Sequence, residues 1–117
     1  MNHKNLFTQV LVSEAKAIER AAQNFDEKTA VQLVSLFELL AGTGGSLVVC
    51  GVGKSGHIGT KIASTFSSLG LPSFFLHPTE AMHGDLGRVS KADAILLISK
   101  SGTTEEILNL LLLRKQA

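Results

Sequence analysis

The short apolar run Leu47-Val48-Val49-Cys50 passes directly into the glycine-rich stretch Gly51-Val52-Gly53-Lys54-Ser55-Gly56, and this junction restricts the fold more than any other part of the chain. Consecutive apolar residues rich in β-branched side chains, with glycines on both sides, suit a strand covered on both faces, as in a parallel sheet. The same order recurs. Ser73-Phe74-Phe75-Leu76-His77 reads as a second strand and Ala94-Ile95-Leu96-Leu97-Ile98 as a third, which ends in another small-residue loop, Ser99-Lys100-Ser101-Gly102-Thr103-Thr104. Between the first two strands Ile58, Ile62, Ala63, Phe66 and Leu69 share one helical face, and Gly70 followed by Leu71-Pro72 ends that helix. Pro78 to Gly87 reads as a short helical or looped excursion, and Ile107, Leu108, Leu111 and Leu112 carry a last helix. Repetition of strand, small-residue loop and helix predicts an α/β fold: a three-layer, doubly wound parallel sheet with right-handed crossovers.

Two helices precede the sheet. From Leu6 to Phe25, Phe7, Val10, Leu11, Ala15, Ile18, Ala22 and Phe25 recur at steps of three and four, predicting a helix with one buried face. Asp26 is placed to cap a second helix, because its carboxylate can accept from the free amides of the next turn. The stripe of that helix is Ala30, Val31, Val34, Phe37, Leu40 and Ala41, and Gly42-Thr43-Gly44-Gly45 stops it. The expected division is a helical segment over residues 1–45 and an incomplete α/β domain over residues 46–117. Sheets of this class usually have about five or six strands. The expectation is therefore a domain truncated after its third strand, leaving that strand's edge unpaired.

Composition excludes several classes. A chain of 117 residues holds one globular unit at most, and 44% hydrophobic against 18% charged residues is too apolar for disorder. A net charge of +1, with no basic block, lacks the footprint of a nucleic-acid binder. The longest apolar runs, such as Leu110 to Leu113, fall far short of the roughly 20 residues that span a bilayer. The polar start Met1-Asn2-His3-Lys4-Asn5 carries no secretory core, and one cysteine, Cys50, forms no internal disulfide. A cytoplasmic protein with a small, near-neutral partner is expected.

In an open parallel sheet, ligands bind beyond the carboxyl ends of the strands. Gly51 to Gly56 offers glycines such as Gly53 that let backbone approach a ligand, with Lys54 and the Ser55 hydroxyl beside them. Ser99 to Thr104 offers three or four hydroxyls, those of Ser99, Ser101 and Thr103 among them, with Gly102 and a helix start, which suit the several acceptor oxygens of a phosphate. Two such loops together point to a phosphorylated sugar. Gly51 to Gly56 also matches the G-x-G-x-x-G of dinucleotide sites, but the second strand ends Leu76-His77-Pro78 without the acidic residue that would hold a ribose. A nucleotide P-loop fails too, because its first glycine would fall on Val48, inside the strand.

The remaining polar residues admit plain readings. His77, Glu80, His83 and Asp85 could form a proton-transfer or metal cluster, or simply a polar loop with capping side chains. Glu105 and Glu106 both stand where a carboxylate favours the start of the last helix, and spacing does not choose between them as a functional group. Cys50 reads as a buried strand residue rather than a nucleophile.

The run Val49-Cys50-Gly51-Val52-Gly53-Lys54-Ser55-Gly56-His57-Ile58-Gly59 closely resembles the sugar isomerase (SIS) domain of bacterial arabinose 5-phosphate isomerases. So do Pro72-Ser73-Phe74-Phe75-Leu76-His77-Pro78-Thr79-Glu80-Ala81-Met82-His83-Gly84-Asp85-Leu86-Gly87 and Ile98-Ser99-Lys100-Ser101-Gly102. The S-x-S-G loop is common to the wider superfamily, whereas G-K-S-G-H-I-G together with H-P-x-E-A-x-H-G-D-L-G is specific to this family.

The resemblance implies a flavodoxin-like SIS fold and an intramolecular oxidoreductase, interconverting D-ribulose 5-phosphate and D-arabinose 5-phosphate for Kdo and lipopolysaccharide synthesis. It implies a catalytic Lys54, a catalytic Glu106 in preference to Glu105, a substrate-contacting His83, and a chain approach to the sugar at Gly70-Leu71. It implies that His77 can hold an inhibitory zinc ion, that no cofactor is required, and that the protein is a homo-oligomer, a tetramer in the family. Gly53, Ser55, His77, Ser99, Ser101 and Thr103 complete the expected substrate contacts. Two departures matter: Lys100 stands where an asparagine is common, and the family's further glutamate and histidine have no counterpart here. Little isomerase activity is therefore expected of the chain alone, with a non-catalytic sugar-phosphate-binding SIS module as the alternative.

Overall fold

The structure, a computed structural model, describes residues 2–102 and 104–116, with side chains through residue 112. The elements run α1 (His3–Asn24), α2 (Glu27–Thr43), β1 (Leu47–Gly51), α3 (Lys54–Ser68), β2 (Ser73–Phe75), α4 (Pro78–Met82), a 3₁₀ turn at Asp85–Arg88, β3 (Ala94–Ile98) and α5 (Glu105–Gln116).

The three strands are parallel in the order β2-β1-β3, with β1 at the centre. Leu47 pairs with Ser73 on one side and Ala94 on the other, and the register runs on to Gly51 opposite Ile98. With neighbours on both edges and helices on both faces, β1 is buried along its whole length. Alternation of side chains divides it between two cores. Val48 and Cys50 pack with Leu76, Ala81 and Leu110 on the face covered by α4 and α5. Leu47 and Val49 pack with Ala63 of α3 and Leu40 of α2 on the other. These are the three layers expected.

Asp93 ties together the starts of the two paired strands. Its carboxylate accepts from the Ser46 amide at 2.8 Å and from the Ser90 amide at 2.7 Å. Burial opposes its charge, but the hydrogen bonds from Ser90 and Ser46 outweigh this and hold its carboxyl below the ordinary range. Asp26 caps α2 as expected, its carboxylate accepting from the Thr29 amide at 2.6 Å.

The chain divides into two compact units, Met1–Ser35 and Leu36–Ala117. Phe37 and Leu40 of α2 fall in the second, in the core around Val49 and Ala63. In the first unit the apolar stripe of α1 has the expected period but not the expected burial: no residue of α1 is buried, and Phe7 and Ile18 are 72% and 71% exposed. Periodicity marks a face fit for burial, whereas burial itself needs an opposing surface.

The second strand is shorter than its composition suggests. The Leu76 amide still donates to the Val49 carbonyl, but His77 turns out of the sheet to cap α4, where Pro78 occupies the first turn. Among the described residues no helix is long and apolar enough to cross a membrane.

Candidate functional site

From β1 the chain reaches β2 on one flank, while β3 pairs on the other, so the loops after β1 and β3 diverge at the point where strand order reverses. A cleft of about 430 Å³ opens there, lined by Val52, Lys54 and Ser55 from the turn after β1 and the start of α3, and by Ile98, Lys100, Ser101 and Thr104 from the end of β3 and the loop after it. Its size falls within the roughly 300–1,000 Å³ of small-molecule sites.

Each wall has a local cause. Gly53 precedes α3 at φ 59° and ψ −126°, a combination that side-chain-bearing residues avoid, so glycine is what lets the strand turn sharply into the helix. The amides that open α3 have no acceptor within the helix and carry its partial positive charge toward the turn. In the second loop Ser99 accepts from the Gly102 amide at 3.0 Å and its hydroxyl bonds that of Thr104 at 2.9 Å, which holds the loop closed. The Leu108 amide donates to the Thr104 carbonyl and starts the ladder of α5. Two lysines and three hydroxyls thus face one space, and among the described residues no carboxylate lines it.

A second hollow of about 290 Å³ lies on the other side of the same turn, lined by Gly53, Gly56, His57, Thr60, Phe75 and His77. The α3 members of this lining are one helical face. His77 uses Nδ1 to accept from the Thr79 amide at 3.1 Å, and its ring meets Phe75 edge-on at 6.4 Å between centroids.

The structure therefore gathers Lys54, Ser55 and Ser101 into one cleft and puts Gly53 and His77 in the adjoining hollow. Ser99 lines neither space and serves as the tie of the second loop. His83, at the end of α4, and Glu106, in the first turn of α5, are exposed and belong to neither lining. Gly70 and Leu71 are at the opposite edge of the sheet, because Pro72 beside them accepts from the amide of Leu47, the first residue of β1. Leu71 packs there against the core of Leu47 and Ala63. Thr103 lies outside the described residues.

Sequence reasoning passed over Lys100 and Thr104 as site members, and His57 and Thr60 in the hollow. For the latter pair the spacing from Gly53 through Gly56, His57 and Thr60 was the available signal. Cys50 is buried, and desolvation pushes its thiol up to about 11, which suits a core residue. Among the described residues no group of three or more His, Cys, Asp or Glu is placed to hold a metal ion. A metal on His77 Nε2 would also need the ring's other tautomer and would break the cap on α4.

A parallel sheet with a cationic, hydroxyl-lined cleft at its switch point defines a doubly wound α/β domain. More specifically, this chain belongs to the SIS domain family, whose pattern matches residues 40–117. It is 54% identical over 83 residues to the arabinose 5-phosphate isomerase KdsD of Pseudomonas aeruginosa, covering 71% of this chain and 26% of that protein. It is 42% identical over 102 residues to the arabinose 5-phosphate isomerase KpsF of Escherichia coli O6:H1, covering 87% of this chain and 30% of that one. A solved structure of an E. coli CFT073 protein in complex with arabinose 5-phosphate superposes with a TM-score of 0.85 at 42% identity, over 99% of this chain and 61% of that one. The chain thus spans between a quarter and a third of the length of these curated relatives.

Proposed function

We propose that this chain binds the phosphate of a pentose 5-phosphate between the segments that follow β1 and β3 and serves the reversible isomerisation of D-arabinose 5-phosphate and D-ribulose 5-phosphate. The observation that carries this reading is the cleft lining of Lys54, Ser55, Lys100, Ser101 and Thr104 without a carboxylate. Lysine ammoniums, hydroxyls and helix-start amides are all donors, as a phosphate requires. Similarity to the two isomerases and to the arabinose 5-phosphate complex supports the choice of sugar.

In this reading a base takes the proton from C2 of the aldose, and the electron pair left behind forms the C1–C2 double bond of an enediol. A proton moves from the O2 hydroxyl to O1, and a proton returned to C1 completes the ketose. Aldose and ketose have the same atoms and electrons, so no redox cofactor is required. Lys54 is assigned to the phosphate or the developing enediolate, Glu106 to proton transfer and His83 to the sugar. Gly53, Ser55 and Ser101 are assigned to the phosphate, held by the loop that Ser99 ties. Acid-base groups of this kind contribute about 10² to 10⁴ in rate. A zinc ion at His77 would compete with the cap on α4, in keeping with an inhibitor rather than a required metal. The setting proposed is a cytoplasmic homo-oligomer, and the exposed stripe of α1 supports self-association.

A second reading, a sugar-phosphate-binding module without turnover, is favoured by the position of Glu106 and His83 outside the cleft lining. Proton NMR of D-arabinose 5-phosphate in deuterated buffer, with and without a chelator, separates the two. Loss of the C2 proton signal with appearance of ribulose 5-phosphate, abolished by Glu106→Gln, is the isomerase outcome. Saturable shifts without exchange would leave the binding module, and the absence of both would overturn the phosphosugar reading.

A further inference from the structure

We infer that Lys100 is a second phosphate-binding cation of the cleft and that it makes the site select a dianionic phosphate monoester over neutral or singly charged sugars. The inference rests on the pentose phosphate reading above. Lys54 opens α3 and Lys100 lies in the loop after β3, and they line the same cleft from its two walls. Both are exposed, and among the described residues neither side chain has a hydrogen-bond or ion-pair partner. The carboxylates nearest in sequence, Glu105 and Glu106, open α5 outside the lining and leave the two charges uncompensated within it.

Two ammoniums that share one cleft repel each other, and a ligand is favoured in proportion to the charge it brings. A phosphate monoester carries about −1.5 to −2 at neutral pH and so answers both. A singly charged ligand leaves one unanswered, and a free sugar leaves both. Position 100 is also held in place, since the backbone on either side belongs to the loop that the Ser99 hydroxyl closes through Gly102 and Thr104. Lys100 therefore acts through charge, with no proton transfer of its own.

The test is a calorimetric titration of the full chain with D-arabinose 5-phosphate and with D-arabinose, at low and high salt. Lys100→Gln is expected to weaken binding of the phosphorylated sugar by about three- to tenfold and to flatten its salt dependence. Lys100→Arg should stay near the unsubstituted chain, as should Lys91→Gln, an exposed lysine before β3. Unchanged affinity in Lys100→Gln would overturn the inference, and so would weaker affinity with unaltered salt dependence, which marks a structural role. In both cases the unsubstituted chain would still bind, and the phosphate reading would stand. Failure of the unsubstituted chain to bind D-arabinose 5-phosphate would remove that reading and this inference together.

Discussion

A Cβ on Gly56 would stand 2.8 Å from the carbonyl oxygen of Gly51, so the last residue of β1 and the first turn of α3 meet with no space for a side chain on either. The reverse contact is as tight, since a Cβ on Gly51 would lie 2.8 Å from the Ser55 carbonyl. Backbone cannot yield as a side-chain tip can. Gly51→Ala and Gly56→Ala should each cost about 1–3 kcal/mol in urea unfolding and weaken binding of D-arabinose 5-phosphate. Gly42→Ala is the contrast: it lies in α2 with nothing within 4 Å of its Cβ. There the helix should gain up to about 1 kcal/mol.

Ser99 is expected to act on binding through the loop. Removing its hydroxyl leaves the Gly102 amide and the Thr104 hydroxyl without this partner. Ser99→Ala should lower stability by about 1 kcal/mol and weaken phosphosugar affinity at the same time. A double-mutant cycle with Thr104→Val checks the mechanism, because partners in one hydrogen bond give non-additive losses. Additive effects would mean that the two hydroxyls act separately.

Asp93 makes stability depend on pH in a defined direction. Its folded carboxyl lies below the ordinary value of 3.8, so the unfolded chain takes up this proton first as acid is added. The stabilisation is fully present above the ordinary value and is lost as pH falls through the lower folded one. Asp93→Asn should therefore flatten the acid limb of a stability-pH profile as the pH falls below the ordinary carboxyl value of 3.8. Part of the slope will remain, because Asp26 is lowered in the same direction by its hydrogen bonds with Thr29.

Cys50 should be silent in the folded chain. It is buried in β1, the central strand, with its thiol raised to about 11, so little thiolate exists at pH 8 and no reagent reaches it. Labelling by a thiol reagent should proceed only on unfolding, at a rate that rises with urea. Prompt labelling of the native chain would contradict the burial of β1.

Much of the local structure was legible in the residues. The passage from Val49 into Gly51–Gly56 read as strand and turn, and Gly70-Leu71-Pro72 read as a helix stop, as found in the Leu71 amide donating to the Phe66 carbonyl at 3.0 Å. The end of β2 was not legible. Capping side chains in the segment from His77 to Asp85 were one of the two sequence readings, and His77 does cap α4, but nothing in Phe75-Leu76-His77 says that the strand stops at Phe75. In the same way, the stripe from Phe7 to Ile18 foretold a helix but not whether any surface covers it.

For the site, Lys54, Ser55 and Ser101 were recognisable because their loops follow apolar strands and carry donors. Lys100 was visible in its loop, but its meeting with Lys54 depends on β3 lying beside β1 in the register that sets Gly51 opposite Ile98. The converse holds for Gly70 and Leu71, which parallel pairing sends to the edge where strands begin. Sequence by itself determined which segments are strands, turns and helices, because propensity, periodicity and glycine are properties of neighbouring residues. Tertiary structure alone decided which loop faces which, since strand order and register arise from packing between segments far apart in the chain.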